Sequence, residues 1–130
     1  MVNTHNYAVW KRKTASAQVR LFDGKWESII NGKKATEYIS RADLFDVLYN
    51  PLKIVWLKDS VYFEVKVSWS GESAQVQAIA HWIAKALVLK DEALKAKLKE
   101  AGHMTRDARK VERKKPGLHK ARKSIQWSKR

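Results

Sequence analysis

The residues best suited to chemistry in this sequence are cations that crowd toward its carboxyl end. Arginine can fork onto phosphate oxygens through two parallel hydrogen bonds, and lysine meets the same oxygens as a point charge. Residues 103–130 hold eleven such cations against two carboxylates, a net charge of +9. A second cluster, Lys11, Arg12 and Lys13, lies near the amino end. Both clusters predict a surface that binds a polyanion, of which nucleic acid is the commonest.

The sequence offers little to a catalyst or a metal ion. Its four histidines lack the spacing of a zinc motif such as H-E-x-x-H. With no cysteine there is no thiolate nucleophile or thiolate metal site, and neither G-x-x-x-x-G-K-[ST] nor G-x-G-x-x-G occurs. We therefore expect no catalytic residue, no metal and no cofactor.

Length and charge bound the class of protein. The chain has 130 residues, 27 Lys or Arg against 13 Asp or Glu, and a formal net charge of +14, which suits one basic domain. The longest apolar runs are only a few residues, far short of the roughly 20 needed to span a bilayer. The first nine residues do not have the pattern of a signal peptide. We expect a cytoplasmic protein that does not meet a membrane.

The chain divides by composition into a body, residues 1–105, and a basic tail, residues 106–130. The tail has few large apolar side chains, so it cannot bury enough surface to offset the entropy of ordering. Pro116 and Gly117 also break any helix there. A solvated helix face is the alternative, but a helix would pair its cations with acids at i+4, and acids are scarce. We expect an extended nucleic-acid-binding segment.

The body must position that tail, and its hydrophobic pattern predicts an α+β fold. Strands are expected at residues 14–21, 28–30 and 61–67, the last with strict alternation. Helices are expected at residues 41–48, with Ser40 as N-cap and Asn50-Pro51 as the stop, and across Val76, Ile79, Ile83 and Leu87. A final helix begins near Asp91 and ends at Gly102. The helices should cover one face of a small sheet.

Taken together, these residues resemble the small-subunit ribosomal protein nine family in its bacterial form. Residues 105–123 and 126–130 are similar to the family's carboxy-terminal signature. Matching positions in the body are Lys11 to Ala15, Ile30-Asn31-Gly32, Glu37-Tyr38, Asn50-Pro51-Leu52 and the helix of residues 75–87. The resemblance covers roughly residues 7–130.

The resemblance implies a fold, a place and partners. The family's body has a left-handed β-α-β crossover like the second domain of ribosomal protein S-five, and it sits in the head of the small subunit beside other head proteins. Its tail threads through ribosomal RNA, and its last residues, here Ser128, Lys129 and Arg130, approach the tRNA in the peptidyl site. The implied ribosomal-RNA ligands are Lys11, Arg12, Lys13, Arg106, Arg109, Lys110, Arg113, Lys114, Lys115, Lys120, Arg122 and Lys123. The alternatives are a free-standing RNA-binding protein and, less favoured, an enzyme of the same superfold.

Tryptophan is unusually frequent in this sequence, with 6 residues, and glycine is unusually rare, with 5. Glycine at about 4% is below the usual 7% or so, and the family typically has glycine at five of the tryptophan positions: Trp10, Trp26, Trp56, Trp69 and Trp82. These residues are either genuine or glycines whose UGA codons were translated as tryptophan. Trp127, where the family carries an aromatic residue, serves as the internal control.

Overall fold

One mixed five-stranded sheet organises the computed structural model, which describes residues 6–129. The strands are β1 (Asn6–Arg12), β2 (Ala15–Asp23), β3 (Ile29–Ile30), β4 (Lys33–Lys34) and β5 (Val61–Ser68). Their order is β1-β2-β5-β3-β4. The β3 and β5 strands run parallel and the other neighbours antiparallel. The helices are α1 (Ala35–Tyr38), α2 (Ala42–Ile54), α3 (Glu72–Lys90) and α4 (Lys95–Glu100), with a 3₁₀ turn at Glu92–Leu94.

The core lies between α3 and the inner face of the sheet. Alternate residues of β2 and β5, such as Val19 and Phe63, are fully buried, whereas their neighbours Arg20 and Glu64 are exposed. Helix α3 packs on β1 and β2 and also against α2. The predicted α+β class is therefore confirmed. Since β3 leads through α1 and α2 into the parallel strand β5, a β-α-β unit is present, and the left hand of its crossover stays a prediction.

Two sequence expectations around α2 were wrong. Ser40 is not its N-cap, because the cap position is Arg41 and the Ser40 hydroxyl instead donates to Glu72 Oε2 at 2.9 Å. Asn50-Pro51 does not end the helix, which continues through Pro51 to Ile54. Pro51 and Leu52 are both buried, so the burial of apolar side chains in the extra turn outweighs the hydrogen bond that proline cannot donate.

Helices α2 and α4 end in the same way but with different residues. Beyond α4, Gly102 N–H donates to Lys99 O and His103 N–H to Leu98 O, the two bonds of a Schellman motif. Trp56 occupies the equivalent position after α2, where its N–H donates to Lys53 O. The φ angles are +82° at Gly102 and +59° at Trp56. A tryptophan thus stands in a left-handed position that glycine usually fills.

The other tryptophans divide into exposed and buried positions. Trp69 has a φ of +67° and is followed by Ser70 at +61°, so two consecutive side-chain-bearing residues are left-handed. Trp82 is fully buried in α3, and Trp10 packs partly buried against the core. The indole Nε1 atoms of Trp10 and Trp82 are buried without a hydrogen-bond acceptor in the described part of the chain.

Candidate nucleic-acid interface

The basic tail leaves the body beside strand β1. Met104 packs partly buried against the core, and the next residues, 106–109, form the tail root. Arg106 Nε donates to the Lys11 carbonyl at 3.2 Å. Asp107 forms an ion pair with Arg12 at 3.0 Å. The start of the tail is therefore held to residues almost a hundred positions earlier in the chain.

Arg12 is the centre of this attachment. It is the one charged residue among the buried residues of the described chain, with 6% of its surface exposed. Its Nε donates to Gln77 Oε1 of α3 at 2.8 Å, and its Nη1 donates to the Arg109 carbonyl at 2.5 Å. A buried charge is tolerated only when it is paired and hydrogen-bonded, and here Asp107 and the two oxygens meet that condition.

Asp107 is bound by a second arginine as well. Arg109 donates to the Asp107 carboxylate through both Nε and Nη2, and its backbone N–H donates to Oδ1 at 3.0 Å. The hydrogen bonds from Arg109, with the nearby charge of Arg12, hold the pKa of the Asp107 carboxyl well below its usual range. Asp107 therefore stays ionised at any physiological pH.

The other two members of the amino-terminal cluster face solvent. Lys11 and Lys13 are exposed, and Lys13 lies in the two-residue turn between β1 and β2 with a φ of +51°. Within residues 6–129, neither lysine side chain forms an ion pair. Both are free to meet a phosphate, unlike the guanidinium between them.

Beyond its root the tail lacks helices and long strands but is not uniformly extended. Leu118 N–H donates to Lys115 O across Pro116 and Gly117. The φ angle of Gly117 is +78°, which fits the third position of a type II turn. An isolated bridge joins Leu118 to Ser124 and closes a small loop. The sequence break predicted at Pro116-Gly117 is thus a tight turn that reverses the chain locally.

The tail cations are nearly all exposed, and they differ in what they already bind. Glu112 pairs with Lys115 and with Arg122, the latter at 3.0 Å. Arg113 donates to the Lys114 carbonyl. Within residues 110–123, four further exposed lysines make no ion pair: Lys110, Lys114, Lys120 and Lys123. These lysines form the least encumbered phosphate ligands of the tail.

At the tip, the chain is exposed up to its last described residue. Trp127 is 94% exposed, and Ser128 and Lys129 are exposed as well. Arg130, the last candidate tRNA ligand, lies outside the described residues.

Two further features are absent from the described residues. No group of three or more histidines and carboxylates within residues 6–129 could hold a metal ion. No helix in that range is long and apolar enough to cross a bilayer.

Sequence reasoning placed the cations but missed their partners. Gln77 and Asp107 were not identified, although both fix Arg12. An acid inside a strongly basic segment was the available signal for Asp107. Gln77 gave none, because it lies 65 residues from its partner in the sequence.

Comparison with known families gives a match. The model of the ribosomal protein S9/S16 family matches residues 10–130, a range that includes both basic clusters, the described helices and the tail through residue 130.

Proposed function

The chain belongs to the ribosomal protein S9/S16 family, whose members are structural, RNA-binding components of the small ribosomal subunit, and we propose that its basic tail is the principal RNA-binding segment. Lys11, Lys13 and the tail cations from Arg106 to Lys123 would contact ribosomal RNA in the subunit head. The tip, Ser128, Lys129 and Arg130, would reach the tRNA in the peptidyl site. Such a protein works in the cytoplasm, on the ribosome.

The observation that carries this proposal is the exposure of the tail cations on a segment whose root is fixed to the body. A segment without a core of its own can be ordered by folded RNA, which supplies the packing surface and the phosphates. Each phosphate that a lysine or arginine neutralises releases counterions, so binding gains free energy without base recognition. The tail is therefore suited to filling gaps between RNA helices.

Sedimentation tests the assignment against both alternatives. The tagged full chain, expressed in cells, should co-migrate with small subunits and stay bound after washing in moderate salt. A free-standing RNA-binding protein would spread over many RNA fractions, and an enzyme of the same superfold would stay at the top of the gradient. Either of those profiles would contradict the proposal.

A further inference from the structure

We propose that Arg12 is a positioning residue for the basic tail and not one of its RNA ligands. The inference rests on the proposed role of the tail in RNA binding. By joining Asp107 and Arg109 to strand β1 and helix α3, Arg12 fixes the direction in which residues 110–130 leave the body.

The geometry leaves the Arg12 guanidinium little capacity for a phosphate. Each of its three nitrogens already has an oxygen partner: Gln77 Oε1, the Arg109 carbonyl and Asp107 Oδ2. The side chain is 7% exposed, so a phosphate could not approach it without displacing the tail root. Arginine suits this position because its rigid planar fork serves several acceptors at once, which the single ammonium of lysine cannot do in the same geometry.

Fixing the root should matter for affinity. A tail free to swing from residue 105 onward would lose more conformational entropy on binding than one whose first residues are already oriented. Arg106 adds a second attachment through the Lys11 carbonyl. The clamp is the set of contacts that Arg12 makes with Gln77, Asp107 and Arg109. The clamp therefore raises affinity through pre-organisation of the tail, without adding a phosphate contact.

Salt dependence separates the two roles of a cation. Log affinity falls as log salt rises, and losing one phosphate ligand makes that slope shallower by about 0.9 for a duplex. Naked small-subunit ribosomal RNA is the probe. Arg12→Gln should weaken binding by a similar factor at every salt concentration with the slope unchanged, and Lys11→Gln, the matched control, should lower the slope. Equal slope losses in the two variants would make Arg12 a phosphate ligand and overturn the proposal.

Asp107→Asn gives a sharper test, because charge and clamp predict opposite signs. Removing an acid from a basic tail should strengthen binding to RNA if only charge matters. If Asp107 anchors the tail through Arg12, the same variant should weaken binding. Tighter binding of Asp107→Asn would overturn the clamp.

Amide exchange on the free protein reads the clamp without RNA. The amide of Arg109 should exchange slowly in the parent and fast in Arg12→Gln, while amides of β2 and α3 keep their protection. If Arg12→Gln unfolds the body, Asp107→Asn provides the same comparison with the buried arginine intact. Fast exchange of Arg109 in the parent itself would contradict the clamp. If the parent shows protection but fails to bind RNA, the proposed function is wrong and the clamp stands.

A second inference rests on separate observations: we infer that the natural chain carries glycine at positions 56 and 69. Both tryptophans have left-handed φ angles, a conformation in which the Cβ of a bulky residue crowds the backbone carbonyl oxygen. Trp56 is 89% exposed and Trp69 75% exposed, so neither gains burial that would offset the strain. Gly102 shows which residue the Schellman position accepts without cost.

A single cause accounts for these positions and for the buried indoles. If UGA is read as glycine in the source organism but was translated as tryptophan, every UGA codon would insert a false tryptophan. The unpaired Nε1 atoms of Trp10 and Trp82 fit side chains that the fold did not evolve to hold. Nothing in the geometry at Trp26 distinguishes the two residues there.

The codons and the natural protein test this inference together. We expect TGA at positions 10, 26, 56, 69 and 82 and TGG at 127, and tandem mass spectrometry of the protein from its source should read glycine at 56 and 69. In the recombinant chain, Trp56→Gly and Trp69→Gly should raise the denaturation midpoint, whereas the exposed control Trp127→Gly should not. TGG codons or tryptophan peptides at 56 and 69 would overturn the inference.

Discussion

Asn31 is bonded to the backbone of Val67 on both sides of its carboxamide. Its Nδ2 donates to the Val67 carbonyl at 2.8 Å, and its Oδ1 accepts from the Val67 N–H at 2.9 Å. Asn31 also has a φ of +50° in the two-residue turn between β3 and β4. One side chain therefore continues the hydrogen bonding of β5 after β3 has ended, and it ties the β3–β4 hairpin to the sheet.

Asn31→Ala should lower the free energy of unfolding by about 1–3 kcal/mol, because two hydrogen bonds worth about 0.5–1.5 kcal/mol each disappear. Chemical denaturation followed by circular dichroism measures the loss. Asn31→Gly accepts the left-handed backbone and lacks the same bonds, so it isolates their share. Asn50→Ala, an exposed change in α2, is the control and should leave stability nearly unchanged. If Asn31→Ala matches that control, the paired bonds do not stabilise the fold.

Elements with a clear period were predictable from the sequence, and elements fixed by distant contacts were not. Strand β5 and helix α3 follow from strict alternation and from apolar spacings of three and four. Strand β1 has no such alternation, and two-residue β4 is too short to show one. Helix α2 passes through Pro51 because of burial that only the tertiary fold reveals.

The same distinction between sequence pattern and distant contacts applies to the candidate site. Exposed tail lysines were found because charge is written directly in the sequence. The clamp on Arg12 was missed because its partners lie 65 to 97 residues away. The sequence alone does not distinguish a cation that binds RNA from a cation that binds an acid of its own chain, because only the fold shows which acid is near.

His103 should make stability depend on pH. Burial, with the nearby His81 as a smaller cause, lowers the pKa of the His103 imidazole, and its Nε2 is buried without a partner among the described residues. The unfolded chain takes up a proton below about pH 6.5 while the folded chain resists it. Stability should therefore fall as the pH drops from about 7 toward the lowered folded pKa.

Denaturation at several pH values checks this slope. His103→Gln removes the group and should flatten the profile as the pH falls below about 7. His119→Gln, an exposed change in the tail, is the matched control and should keep the parent's profile. A His103→Gln profile as steep as the parent's would assign the pH dependence to another group.

Three of the unpaired tail lysines should make a measurable contribution to the salt dependence of RNA binding. Changing Lys114, Lys120 and Lys123 together to glutamine should lower the slope of log affinity against log salt by about 2 to 3, with the duplex value applied to folded RNA. The matched control changes Lys95, Lys97 and Lys99 of α4, which are also exposed, and removes the same charge from the body. Equal slope losses in the two triple variants would mean that net charge, and not the tail, governs binding.

Deleting Ser128, Lys129 and Arg130 tests the proposed reach of the tip. Residues 122–129 are all exposed. Removing the last three residues should therefore leave the body folded, and the subunit should assemble. Losing one or two charge-assisted hydrogen bonds, worth about 1.5–3 kcal/mol each at most, should weaken tRNA in the peptidyl site by roughly tenfold or more. Filter binding of tRNA to purified small subunits measures the change, and Lys129→Gln, which keeps the chain length, should show a smaller loss. Unchanged tRNA affinity with failed subunit assembly would make the tip an assembly element instead.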